Sequence, residues 1–139
     1  MRRHSQIFLS HGNSETAFAR QMAQKLTKAG LKVWFDEMEL PTGENWAKAI
    51  GKALDKSNAM VVLLSPDATR SGWINRDIEY AITTPRFQGR LFPVMVKPTR
   101  EDQVPWILRH LGIIKAGDPD VASRQVVRAL KGERGSNKR

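Results

Sequence analysis

Along this chain, short runs of consecutive apolar residues alternate with longer stretches in which apolar residues recur every three or four positions. Gln6-Ile7-Phe8-Leu9-Ser10 is the first run, and the turn-forming His11-Gly12-Asn13-Ser14 stops it, so a strand and then a loop are expected. Phe18, Met22 and Leu26 follow at helical spacing through Lys28. Asn13 or Ser14 stands where a cap is needed, Glu15 falls in the first turn, and Gly30 is placed to end the helix. Leu31-Lys32-Val33-Trp34-Phe35 predicts a second strand, closed by Asp36. From Glu37 to Asn45 the chain is polar and carries Pro41 and Gly43, which predicts a loop. Trp46, Ala49, Ile50, Ala53 and Leu54 then keep helical spacing, with Trp46 expected in the core beside Ile50 and Leu54.

Residues 59–64 are apolar at every position, the pattern of a strand covered on both faces in the middle of a parallel sheet. Ser65-Pro66-Asp67 ends it, and a helix over 72–83 follows, with Pro85 forbidding much continuation. Leu91-Phe92-Pro93-Val94-Met95-Val96 predicts a fourth strand whose proline argues for a strand start, a bulge or an edge. Between 97 and 111, Pro98 and Pro105 break the chain, while Trp106-Ile107-Leu108 and Leu111 predict a short turn of helix packed on the core. Gly112-Ile113-Ile114-Lys115 reads as a weak fifth strand, and Val121 to Leu130 as a last helix with Val126, Val127 and Leu130 on one face. Strands alternating with helices imply a mainly parallel sheet of five strands with helices on both faces.

In such sheets ligands bind beyond the carboxyl ends of the strands. Here those ends carry Ser10-His11, Phe35-Asp36 and Ser65-Pro66. The helix that leaves the third strand opens on Ser71-Gly72-Trp73, with Ser71 suited to its N-cap. At about 100° per residue, Trp73 and Asp77 lie about 40° apart and face one cleft, whereas Glu79 falls about 120° from Trp73 on the other side. Each residue also has a plainer reading. Asp77 could be a solvated acid paired with Arg70 or Arg76, Trp73 a core anchor, Ser10 and His11 a polar strand exit, and Asp36 a loop cap. No Ser-His-Asp arrangement and no phosphate-cradling loop of the Gly-Lys-Ser/Thr type is present.

Composition narrows the function classes. The chain has 139 residues, 40% of them hydrophobic and 27% charged, which suits one domain with a substantial core, expected over 5–131. There is no cysteine, and His4, His11 and His110 are scattered, so neither disulfides, thiolate chemistry nor a metal site is expected. No apolar run approaches the roughly 20 residues of a membrane helix, and no secretory leader is visible, which predicts a cytoplasmic protein without membrane contact. The net charge of +9 raises the question of nucleic acid, but more than half of it lies in the ends, 1–4 and 131–139, with 1–4 and 132–139 expected as basic flexible termini. Without a basic helical stripe or interleaved basic and aromatic residues, no specific nucleic-acid partner is expected.

Ile7-Phe8-Leu9-Ser10-His11, Val33-Trp34-Phe35-Asp36, Glu39-Leu40-Pro41-Thr42-Gly43-Glu44-Asn45-Trp46, Val61 to Pro66, Ser71-Gly72-Trp73 and Leu91-Phe92-Pro93-Val94 occur in an order and spacing that resemble a Toll/interleukin receptor (TIR) domain of the bacterial type, over roughly residues 5–130. The resemblance implies a flavodoxin-like α/β fold and makes Glu39, Leu40, Pro41, Thr42, Gly43, Glu44 and Asn45 the BB loop. Many such domains cleave NAD+ between nicotinamide and ribose in signalling or defence, giving ADP-ribose or a cyclic ADP-ribose isomer, with NAD+ as substrate and no further cofactor. Others are adaptors or host-signalling mimics that only associate with other TIR domains through the BB loop. The enzymes of the family carry a glutamate four positions after the tryptophan. Here that position is Asp77, the expected catalytic residue, with Glu79 as the nearest glutamate and second candidate. Ser10, His11, Trp34, Phe35, Asp36, Ser71 and Trp73 are the expected substrate contacts, and self-association with other TIR domains is expected. A flavodoxin-like receiver domain would share the alternation but should carry paired acids after its first strand, where Ser10-His11 stand instead.

Overall fold

The computed structural model describes residues 6–35 and 44–132, apart from the side chains of 44–46. In chain order the elements are β1 (Gln6–Ser10), α1 (Thr16–Lys28), β2 (Lys32–Phe35), α2 (Glu44–Lys56), β3 (Ala59–Leu64), α3 (Gly72–Ile82), β4 (Leu91–Met95), α4 (Trp106–Arg109), β5 (Ile114–Lys115) and α5 (Pro119–Leu130). The strands form one sheet in the order β2-β1-β3-β4-β5, and every pairing is parallel. In this doubly wound order the chain lays β2 on one side of β1 and then returns to lay β3 on the other. A crevice between the carboxyl ends of β1 and β3 follows from that reversal alone.

The two-residue period of the strands divides the core into two layers. Ile7, Leu9, Val61, Leu63, Phe92 and Val94 face Met22 and Leu26 of α1 and Ala122 and Val126 of α5. Phe8, Met60, Val62, Leu64 and Leu91 face Ala53 and Leu54 of α2, Ile74 and Ile78 of α3 and Leu108 of α4. All six residues of β3 are fully buried, as the unbroken apolar run predicts, and each large side chain there contributes about 1.5–3 kcal/mol through removal from water. Gly30, at φ +95°, lets the chain reverse at the end of α1 so that the Leu31 amide donates to the Leu26 carbonyl at 3.1 Å.

Four local expectations are corrected. A 3-10 turn over Asn13–Glu15 precedes α1, and neither Asn13 nor Ser14 caps it through its side chain. Ser14 Oγ instead donates to Asp67 Oδ2 at 2.8 Å, and Glu15 turns inward until only 2% of it is exposed. Pro93 is buried in the middle of β4, a strand flanked on both sides. The alternation of the ladder explains this. Val96 N and Arg90 O bond towards β3 and Met95 O towards β5, so the position of the missing Pro93 N–H also faces β5, whose pairing starts only at Val94. Trp106 does not pack on the core with Leu108 but is 64% exposed, its ring edge against His110. Finally, α2 starts at Glu44, earlier than the apolar spacing from Trp46 suggests. Asp36, residues 37–43 and residues 133–139 lie outside the described residues, and so does the side chain of Trp46.

Candidate active site

Ser10, the last residue of β1, is 3% exposed and donates its hydroxyl to Asp77 Oδ2 at 2.7 Å. Asp77 stands one turn into α3, whose start is fixed by Ser71: the Ser71 Oγ accepts from the Ile74 amide at 3.3 Å. Ile74 and Ile78 pin the adjoining face of the helix into the core, which leaves Asp77 at the edge of that face, towards the crevice at the switch point. Desolvation raises the Asp77 pKa from 3.8 to about 6. The Ser10 hydroxyl and the charge of His11 both oppose that rise by favouring the carboxylate. The group is therefore mostly ionised at neutral pH.

Around this pair lies a cleft of ≈ 300 Å³ lined by residues 8–14, Trp34, Ile50, Asp67, Ser71, Trp73 and Asp77. The Trp34 ring stacks on Phe8 with centroids 5.0 Å apart and planes 22° apart, which gives the cleft a flat aromatic wall. His11 donates from Nδ1 to the Gly12 carbonyl at 2.8 Å, and its ring tilts against Phe35 at 5.9 Å. At the mouth Trp73 is 52% exposed, with the Arg76 guanidinium 5.1 Å from its ring centroid. The lining side chains include two carboxylates, Asp67 and Asp77, and neither a lysine nor an arginine among the described residues. A flat aromatic wall with the Asp77 carboxylate beside it suits a planar ring next to hydroxyl groups.

Of the residues expected at the site, Ser10, His11, Trp34, Ser71, Trp73 and Asp77 come together in this cleft. Phe35 is not part of its lining and reaches it only through the His11 ring. Glu79 is exposed and does not line the cleft. Asp36 and Glu39 to Gly43 lie outside the described residues, while Glu44 and Asn45 begin α2 with undescribed side chains. Two of the plainer readings are corrected: Arg70 pairs with Asp67 at 2.8 Å rather than with Asp77, and half of Trp73 is in solvent rather than in the core. Phe8, Asn13, Ser14, Ile50 and Asp67 were not expected in the lining. Their sequence signals, a strand position, two caps, a helix core position and a turn, each had a sufficient local explanation. Among the described residues no cluster of three or more His, Cys, Asp or Glu could hold a metal ion, and no helix is long and apolar enough to cross a membrane.

Comparison with known proteins gives this geometry a family. Residues 7–130 match the family described as TIR domain. The chain belongs to the TIR domain family. It is 30% identical over 99 residues to the NAD(+) hydrolase TcpA of a Theionarchaea archaeon, a match covering 69% of this chain and 30% of that protein. It is 28% identical over 99 residues to the 2' cyclic ADP-D-ribose synthase AbTIR of Acinetobacter baumannii, covering 69% of this chain and 36% of that one. This TIR domain thus spans about a third of the length of the curated relatives it matches. Among solved structures it is similar in fold to the TIR domain of the Toll-related receptor TRR-2 from Hydra magnipapillata, at TM-score 0.71 and 20% identity over 90% of this chain and 97% of that one. A metazoan TIR-STING receptor from C. gigas gives TM-score 0.74 at 23% identity, over 94% of this chain and 41% of that one.

Proposed function

We propose that this TIR domain cleaves NAD+ at the bond between nicotinamide and ribose, with Asp77 as the catalytic carboxylate. The observation that carries the reading is the Ser10–Asp77 hydrogen bond at the floor of a cleft with aromatic walls, where a half-desolvated carboxylate is held ready beside space for a ring. The activities for which TcpA and AbTIR are named, NAD(+) hydrolase and 2' cyclic ADP-D-ribose synthase, support the substrate class. Nicotinamide bound through its ring nitrogen is already cationic. When the C1'–N bond breaks, the electron pair leaves with it as neutral nicotinamide, and positive charge passes to the ribosyl C1' and ring oxygen. A fixed carboxylate close to that sugar stabilises the oxocarbenium-like state and can also accept from the ribose hydroxyls. The Ser10 bond restrains Asp77 so that little reorganisation is needed as charge develops.

The stacked Trp34 and the half-exposed Trp73 supply surfaces for the nicotinamide or adenine ring. Water as acceptor gives ADP-ribose and a proton, whereas an adenine or ribose atom as acceptor closes a ring and gives a cyclic ADP-ribose, which holds one water fewer. Exclusion of water from the cleft decides between them. On this reading NAD+ is the substrate, Ser10, His11, Ser71 and Trp73 contact it, the cytoplasm is the site of action, and residues 39–45 mediate self-association that opens or closes the cleft.

Purified protein incubated with NAD+ tests the proposal. The expected result is nicotinamide together with ADP-ribose or a cyclic ADP-ribose in equal amounts, with release rising more than in proportion to protein concentration. Absence of nicotinamide above the buffer rate, even in concentrated or crowded protein, overturns it and leaves a non-catalytic TIR-binding surface as the function.

A further inference from the structure

Behind the cleft, outside its lining, lies a carboxylate that the proposed chemistry does not use. Glu15 is 2% exposed, at the end of the 3-10 turn that follows the cleft loop. Its Oε1 accepts from Ser65 Oγ at 2.9 Å, and the same Ser65 Oγ accepts from the Ala68 amide at 3.1 Å. Its own amide donates to the Gly12 carbonyl at 3.1 Å. Oε2 has no hydrogen bond among the described residues and faces only the Lys97 ammonium, at 3.4 Å, from a lysine that is itself 57% exposed. A buried carboxylate with so modest a set of partners is a poor source of stability, since its desolvation offsets most of what the ion pair returns. Its position offers another reason for it.

Two segments form the part of the cleft wall nearest Glu15: the loop 12–14 after β1, and the turn 65–71 between β3 and α3. Glu15 ties them together, holding Gly12 through its amide and Ser65 through its side chain, and the Ser65 hydroxyl in turn holds the Ala68 amide. In front of that tie, Ser14 donates to Asp67, and both residues line the cleft. Gly12 also lies so near the turn that a Cβ there would touch Ala68 and Glu15 Oε1 at 3.7–3.8 Å. We infer that Glu15, through Ser65, is a positioning residue that sets the separation of the two segments and so the fit of the cleft to its nucleotide substrate. The catalytic pair does not depend on this tie, because Ser10 is held by the β1 ladder and Asp77 by α3. The strut therefore governs substrate binding more than the chemical step.

The kinetic arm of the test rests on the NAD+ reading, so a second arm is read without substrate. Glu15→Ala and Ser65→Ala each raise the KM for NAD+ about tenfold and leave kcat within about twofold. Glu15→Gln, which keeps an oxygen for the Ser65 hydroxyl, stays within about twofold of wild-type KM. Hydrogen exchange measured on the free proteins shows faster exchange of the Glu15 and Ala68 amides in the two alanine variants and wild-type rates in Glu15→Gln. Should Glu15→Ala fail to fold, Ser65→Ala carries both arms. Wild-type KM in a folded Ser65→Ala, or wild-type exchange at the residue-15 amide of that variant, overturns the inference, as does a Glu15→Gln that behaves like Glu15→Ala, because burial of charge rather than the tie would then be what matters. If the wild-type protein cleaves no NAD+, the proposed activity falls, and exchange at the residue-15 amide of Ser65→Ala alone decides for or against the strut.

Discussion

Asp77→Asn is expected to slow nicotinamide release from NAD+ by at least about 100-fold, because the substitution keeps the shape of the cleft and removes the charge that answers the cationic sugar. The asparagine oxygen still accepts from Ser10, so a folded protein with an intact cleft remains. Glu79→Gln, in the same helix but exposed and away from the cleft, leaves the rate within about twofold of wild type. Parallel rate assays on the two variants check the assignment, and equal losses in both would refute it. The same substitution carries a stability signature of opposite sign. Asp77 has a folded pKa of about 6 against 3.8 when unperturbed, so its contribution is fully present below about pH 4 and is lost as the pH rises through 6. Above that range the ionised group costs the fold up to about 3 kcal/mol. Asp77→Asn is therefore more stable than wild type at pH 7 and loses that advantage towards pH 4. Activity and stability then pull in opposite directions at one residue.

The second large effect is on the pH dependence. With its carboxyl titrating near 6, the wild-type kcat/KM for NAD+ falls about tenfold per unit below that pH. Ser10→Ala removes the hydroxyl that favours the ionised form, so the carboxyl pKa rises further and the acid limb of the profile moves to higher pH. Loss of activity at pH 6 then exceeds loss at pH 8, and the deficit that persists at pH 8 measures how much the bond contributes to aim rather than charge. An unmoved limb with a uniformly reduced rate would mean that Ser10 positions Asp77 without setting its ionisation.

Most of the sheet could be read from the chain because the signals were dense. The run 59–64 could only be a strand covered on both faces, and β1 and β3 have the bounds that their flanking polar residues mark. The crevice followed from topology, and the helical offset that put Trp73 and Asp77 on one side is the geometry found in α3. What the chain concealed were long-range pairings. Glu15 looks like an ordinary first-turn acid, and only the approach of Ser65, fifty residues away, turns it inward. Ser14 has the residue type of a cap, yet its hydroxyl donates to Asp67 across the cleft wall and does not cap the helix. Pro93 reads as an edge residue because the sequence does not disclose that β5 is only two residues long and starts beyond it. Trp73 is large and apolar, and a sequence cannot show whether the space it would fill is already occupied by Ile74 and Ile78.

The central claim, an ionisable Asp77 carboxylate placed against the nicotinamide ribosyl cation, is tested most directly by carbon-13 NMR of the Asp77 carboxyl through a pH titration. The titration is run on the free protein and with a non-cleavable carbocyclic NAD+ analogue. The account predicts an inflection near pH 6 in the free protein, moving to lower pH when the cationic analogue is bound. An inflection near 4 that the analogue leaves in place would contradict it.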